Sequence, residues 1–331
     1  MRKYRDSKDQ KMNMLIPSLT LILSFAVLIW CADRFVFGAS ALAKNLGAPP
    51  ILIGLTIVAM GSSAPEMLVS GNAALLNKTD TAVGNALGSN ITNILLVLGC
   101  TALIRPLTIS SDSLKREMPI LMFMTAIASV LLFDGELSRF DAGVLVFLFL
   151  LFTVYLYRLS RAGTPDPMTS ELEEEIPSNV KTSTAVMWVI AGLILLPASS
   201  HFLVNSAVEI AKFFGMSDLV IGLTIIAIGT SLPELAASIA GALKGEDDMA
   251  IGNIIGSNIF NLLVVLAIGG MITPSPLDPA VNRDIGVMIA ATIFMFVLSI
   301  GIRNKAKLTR FNGGLFLAGF IAYQAVILMS I

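Results

Sequence analysis

The stretch GLTIVAMGSSAPE, Gly54 to Glu66, returns as GLTIIAIGTSLPE, Gly222 to Glu234, at an offset of 168 residues. The correspondence continues without a gap. GNALGSNITN (Gly84 to Asn93) pairs with GNIIGSNIFN (Gly252 to Asn261), and 24 of 46 positions are identical between 54–99 and 222–267. A match of that length marks an internal duplication, so any fold proposed for one copy must serve the other. Both copies also place Gly, Ser or Thr, Pro and Glu near the middle of a long apolar segment. A carboxylate at that depth in a bilayer costs several kcal/mol, so each Glu is a functional-site candidate from the start.

The bilayer enters through composition. Hydrophobic residues make up 55% of the chain and charged ones 14%, with a mean hydropathy of +0.83; a soluble domain carries about 25% charged residues. The apolar runs are about as long as a helix needs to cross a ~30 Å core. They predict ten spans, at 14–36, 50–76, 82–104, 117–133, 140–158, 184–207, 218–243, 249–272, 285–302 and 311–331. The first reads as an uncleaved span because no small-residue cleavage site follows it. With a net charge of −1, no nucleic-acid partner is expected, and no obligate protein partner.

The one sizeable polar stretch holds TPDP and the acidic run at 171–175. It predicts a first five-helix repeat at 1–160, a solvated cytoplasmic linker at 161–183 and a second five-helix repeat at 184–331. Five is odd, so the second copy enters from the opposite face. Equivalent helices then run antiparallel about an axis in the membrane plane, the inverted-repeat plan of many secondary transporters. The expected fold class is therefore an all-α polytopic membrane protein with two inverted repeats. Thirteen inter-span Lys and Arg lie on one side against four on the other. That places the richer side in the cytoplasm and both termini outside a plasma membrane, with the basic N-terminal tail as the exception.

The repeated motifs carry the chemistry. Pro65 has no N–H and clashes with the carbonyl four residues earlier, and Gly61 lets the backbone deform, so carbonyls near Ala59 to Ser62 are expected to turn toward a cation. Ser62 stands four residues before Glu66, which puts its hydroxyl on the same helical face. The second copy offers Ala227, Thr230, Ser231, Pro233 and Glu234. Ser89 and Asn93 are four apart, as are Ser257 and Asn261. The glycines at 84, 88, 252 and 256 suit close helix approach in a membrane. Folded together, these residues form an all-oxygen set without His or Cys, which suits a hard cation such as Ca²⁺ rather than Zn²⁺. His201, aligned with Asp33, reads as an interfacial polar residue, and Cys31 and Cys100 as small buried side chains.

An ion channel could use the same oxygens. An intramembrane hydrolase would need a base beside Ser62 or Ser63, and no His or Lys is near. The chain is therefore not read as an enzyme, and no cofactor is expected.

At these residues the chain resembles the cation/Ca²⁺ exchanger superfamily, and within it the prokaryotic sodium/calcium exchangers. Both signatures, G-[ST]-S-x-P-E and G-N-x-x-G-S-N-I-x-N, occur here twice. The resemblance covers both halves. It implies ten helices, termini outside, and four cation sites enclosed by the second, third, seventh and eighth helices. It implies that Glu66 and Glu234 serve a central Ca²⁺. The other oxygens it implies come from Ala59, Ser62, Ser63, Ser89 and Asn93, and from Ala227, Thr230, Ser231, Ser257 and Asn261. The activity it implies is Na⁺ entry in exchange for Ca²⁺ exit by alternating access, at three Na⁺ per Ca²⁺; Ca²⁺/H⁺ antiport is the alternative. Some relatives carry Asp where this chain has Asn261, and proton-coupled relatives carry Glu where it has Gly88 and Gly256. The first departure argues against K⁺ co-transport and removes one acid that could carry protons; the second favours Na⁺ over H⁺ as the transported counter-ion.

Overall fold

A computed structural model describes residues 2–47, 53–110, 113–161, 180–214, 227–300 and 307–329. The main helices are α1 (Arg2–Leu46), α2 (Ala64–Leu75), α3 (Thr79–Ile104), α4 (Met118–Leu131), α5 (Arg139–Arg161), α6 (Thr182–Phe213), α7 (Leu232–Leu243), α8 (Asp247–Ile272), α9 (Val281–Ser299) and α10 (Arg310–Met329). Seven of them are long and apolar enough to cross a membrane: α3, α5, α6, α8, α9, α10 and the Met14–Leu46 part of α1. The apolar surface agrees, since Ile16, Ile22 and Leu23 on α1 are 61–70% exposed, a pattern that suits lipid rather than water.

The remaining expected spans, 50–76, 117–133 and 218–243, are shorter as helices. In the first, the one-turn helix Ala59–Ser62 ends at Ser63, whose φ of −82° and ψ of 9° leave the helical range before α2 begins. In the second copy Ala227–Thr230 ends at Ser231, with φ −89° and ψ 8°. Pro65 and Pro233 stand in the first turn of α2 and α7, where a missing N–H costs nothing. Part of 218–243 lies outside the described residues, as does most of the expected linker at 161–183; α5 runs on to Arg161 and α6 starts at Thr182, so both helices reach into it.

The helices pack as two apolar groups. Phe35, Ala39, Ala185, Val189 and Leu196 join α1 to α6. A Cβ at Gly38 would lie 2.7 Å from Trp188 Cβ, and one at Gly192 would lie 2.4 Å from the Phe35 ring. The second group unites α3, α4, α5, α8, α9 and α10 around Leu87, Ile91, Ile254, Leu262 and Leu263.

Two short strand pairs qualify the all-α expectation. β1 (Leu107–Thr108) pairs antiparallel with β4 (Lys307–Leu308), and β2 (Glu136–Leu137) with β3 (Ser275–Pro276). Each joins a residue pair of one sequence half to the other. They satisfy loop backbone at the helix ends, which hydropathy alone does not reveal.

Candidate cation site

Both glutamates sit immediately after a helix break. Glu66 lies in the first turn of α2 and Glu234 in the first turn of α7. The expectation that Ser62 and Glu66 share one continuous helix is corrected here, because the break at Ser63 falls between them.

The two sequence halves meet at these breaks. Ser63 Oγ donates to Glu234 Oε1 at 3.0 Å. Ser62 Oγ lies 3.4 Å from Ser257 Oγ, 3.2 Å from Asn253 Oδ1 and 3.3 Å from the main-chain oxygen of Ala59. Glu66, Glu234, Ser63, Ser257, Asn93 and Asn261 are completely buried, and Ala59, Ser62, Ser89 and Ser231 nearly so. Thr230 is half-buried. Ala227 belongs to the one-turn helix, but its side chain is outside the described residues.

Several of these buried polar atoms lack a hydrogen-bond partner among the described residues. They are both oxygens of Glu66, Oε2 of Glu234, the amides of Asn93 and Asn261, and the hydroxyl of Ser231. Buried polar groups are otherwise almost always paired. Such a group of oxygens, with two carboxylates and the rest neutral, suits a small hard cation. Among the described residues no three His, Cys, Asp or Glu side chains are grouped so as to hold a metal ion by themselves.

Backbone shape adds to this. α3 and α8 each widen into a π-helical segment whose first residue is Asn93 or Asn261 (Asn93–Leu98 and Asn261–Val265). Such segments recur at functional sites because the extra residue in the turn redirects side chains and carbonyls. Residue spacing alone did not predict them.

The freed carbonyls require a correction. Pro233 releases the carbonyl of Gly229, yet Ser200 Oγ of α6 donates to that oxygen at 2.7 Å. Ala59 O also receives the Ser63 N–H at 3.0 Å, and reaches an ion only through its second lone pair. The position of the first repeat equivalent to Ser200 is Ala32, which has no hydroxyl.

The packing glycines divide. A Cβ at Gly256 would lie 2.7 Å from Ala59 Cβ and 2.8 Å from Leu55 Cα, so close approach depends on it; at Gly84 and Gly88 nothing among the described residues lies within 4 Å. The equivalent of Leu55 is Leu223, outside the described residues. His201 is exposed and pairs with Asn205 at 2.9 Å. Asp33, its counterpart, pairs with Lys244 at 2.7 Å. Cys31 is buried and Cys100 half-buried, both unbridged.

The motif reading overlooked Asn85 and Asn253. Asn85 Nδ2 donates to Glu66 O at 3.0 Å and Ser70 Oγ at 2.9 Å. Asn253 Nδ2 donates to Glu234 O at 3.3 Å and Ser238 Oγ at 2.9 Å. The signal was present, since Asn and Ser recur in register in both copies.

The family model described as sodium/calcium exchanger protein matches residues 16–158 and 184–329. The chain belongs to the sodium/calcium exchanger protein family. It is 50% identical over 319 residues to a candidate antiporter, CaxA, of Alkalimonas amylolytica, covering 96% of this chain and 100% of that one. It is 30% identical to the sodium/calcium exchanger MaX1 of Methanosarcina acetivorans, covering 93% of this chain and 97% of that one. A solved structure of the sodium-calcium exchanger NCX_Mj, soaked with Na⁺ and Ca²⁺, matches at a TM-score of 0.80 and 31% identity, over 94% of this chain and 98% of that one. As a member of this exchanger family, the chain is an ion antiporter embedded in a membrane rather than an enzyme.

Proposed function

We propose that the chain exchanges Na⁺, moving inward, for Ca²⁺, moving outward, by alternating access across the plasma membrane at three Na⁺ per Ca²⁺. The observation that carries this reading is the Ser63–Glu234 hydrogen bond, which joins the fully buried Glu234 of one sequence half to the helix break just before the fully buried Glu66 of the other. Three of the four oxygens of these glutamates have no hydrogen-bond partner among the described residues, which leaves strong acceptors available to a cation. In this reading Glu66 and Glu234 supply −2, which one Ca²⁺ balances. Ala59, Ser62, Ser63, Ser89, Asn93, Ala227, Thr230, Ser231, Ser257 and Asn261 supply neutral oxygens, and three Na⁺ divide the same set.

The scaffold in this account is ten membrane helices in two inverted repeats, 1–160 and 184–331, joined by a cytoplasmic linker at 161–183, with both termini outside. The paired breaks at Ser63 and Ser231 and the paired π-helical segments at Asn93 and Asn261 support it. In this reading the lipid bilayer surrounds the helices, and no obligate protein partner and no cofactor are required. Ca²⁺/H⁺ antiport is the alternative. The relative CaxA is named only as an antiporter, which is compatible with either counter-ion; Gly88 and Gly256, where proton-coupled relatives carry Glu, favour Na⁺.

Three-for-one exchange moves one net positive charge with Na⁺, worth ~2.3 kcal/mol per 100 mV. Na⁺-loaded proteoliposomes taking up ⁴⁵Ca²⁺ under a K⁺/valinomycin potential test it. Uptake carries net positive charge out, so an inside-positive potential speeds it and an inside-negative one slows it. Indifference to the potential would replace three-for-one by electroneutral exchange.

A further inference from the structure

Asn253 stands one turn before Ser257 on α8, is 1% exposed, and is none of the oxygens assigned above. Its Nδ2 faces the main-chain oxygen of Glu234 at 3.3 Å and Ser238 Oγ at 2.9 Å. A carbonyl only accepts, so the group facing it is the NH₂ and not the amide oxygen. Both N–H donors are thereby committed to the glutamate-bearing helix α7. The amide is planar, so Oδ1 points the other way. There it meets Ser62 Oγ of the opposite repeat at 3.2 Å, across 191 residues of sequence.

The Ser62 hydroxyl has one proton and three acceptors in reach, Asn253 Oδ1 at 3.2 Å, Ala59 O at 3.3 Å and Ser257 Oγ at 3.4 Å. A hydroxyl that ligates a cation must aim lone pairs at the ion and give its proton to something else. Ala59 O and Ser257 Oγ belong to the proposed ligand set, and a proton directed at either would oppose the ion. Asn253 Oδ1 lies outside that set, and its orientation is locked from behind.

We infer that Asn253 is a positioning residue of the cation site: its anchored amide takes the Ser62 proton and so holds the Ser62 lone pairs, Ala59 O and Ser257 Oγ open to the ion. Asn85 makes the same two anchoring bonds to Glu66 O and Ser70 Oγ, at 3.0 and 2.9 Å, so the anchor is duplicated with the fold. The inference rests on the proposed role of Ser62 and Ser257 as Ca²⁺ ligands.

A double-mutant cycle in the full chain tests it, with two readouts. One is the half-saturating Ca²⁺ for ⁴⁵Ca²⁺ uptake by Na⁺-loaded proteoliposomes. The other, independent of transport, is the Ca²⁺ concentration giving half the shift in melting temperature in detergent. Ser62→Ala and Asn253→Ala should each raise both values about tenfold, the scale of one hydrogen bond at a charged site. The double variant should stay within about twofold of either single one, because both act through the same hydroxyl. Ser238→Ala removes one anchor and leaves α7 in place. It should raise both values about threefold in the parent and leave the Ser62→Ala chain unchanged, which carries the test if Asn253→Ala does not fold. Factors that multiply across the cycle, or parent-like values for the Asn253 and Ser238 variants, overturn the inference and leave Ca²⁺ exchange standing. A parent neither moving Ca²⁺ nor stabilised by it overturns both the exchanger reading and this inference.

Discussion

Ser63 Oγ donates a 3.0 Å hydrogen bond to Glu234 Oε1, linking residues 171 apart in sequence and one in each repeat. The hydroxyl occupies one carboxylate oxygen and leaves Oε2 without a partner among the described residues. A hydrogen bond to a charged group is worth ~1.5–3 kcal/mol. Ser63→Ala should therefore raise the half-saturating Ca²⁺ for uptake by about tenfold or more, while Ser63→Thr, which keeps the hydroxyl, stays near the parent. Equal values for Ala and parent would remove Ser63 from the site.

The glutamates themselves should be less forgiving. One unit charge at 4 Å is worth ~4 kcal/mol at an effective dielectric of 20, a factor of about a thousand. Glu66→Gln and Glu234→Gln keep size and hydrogen-bonding capacity and each remove one charge. Both variants should insert and migrate as the parent on size exclusion, yet show no Ca²⁺ uptake above background. Near-normal flux in either would take that glutamate out of the ion site.

These residues also mark how far the sequence could be read. The duplication, the glutamate pair and the apolar runs were visible because each repeats in register or exceeds a length threshold. The break at Ser63 and Ser231 was anticipated only as a region; which residue leaves the helix depends on neighbours such as Ser200, whose hydroxyl takes the carbonyl of Gly229. The π-helical segments at Asn93 and Asn261 leave almost no trace in periodicity, since one extra residue per turn shifts it too little. The roles of Asn85 and Asn253 depend on partners on other helices, 15 and 19 residues away. The side chains of these amides are placed by tertiary packing.

Close packing makes a prediction about stability. A Cβ at Gly256 would come within 2.8 Å of Leu55 Cα, which is backbone and cannot rotate away. Overpacking of this kind costs ~1–3 kcal/mol. Gly256→Ala should lower the melting temperature in detergent and reduce Ca²⁺ uptake. Gly286, on α9, has nothing among the described residues within 4 Å of its added Cβ. Gly286→Ala should melt at or slightly above the parent, since Ala is the better helix former. A Gly256→Ala chain as stable and active as Gly286→Ala would show that the approach of α8 to the first broken helix is not tight.

The coupling ion is tested most directly by ⁴⁵Ca²⁺ uptake into proteoliposomes holding the parent chain, with the Na⁺ and pH gradients imposed separately. With Na⁺ inside, none outside and equal pH, Ca²⁺ should accumulate, and a Na⁺ ionophore should abolish the uptake. With no Na⁺ present and an acidic lumen, uptake should stay at the level of protein-free vesicles. Accumulation that follows the pH gradient in the absence of Na⁺ would contradict Na⁺/Ca²⁺ exchange and make Ca²⁺/H⁺ antiport the activity of this chain.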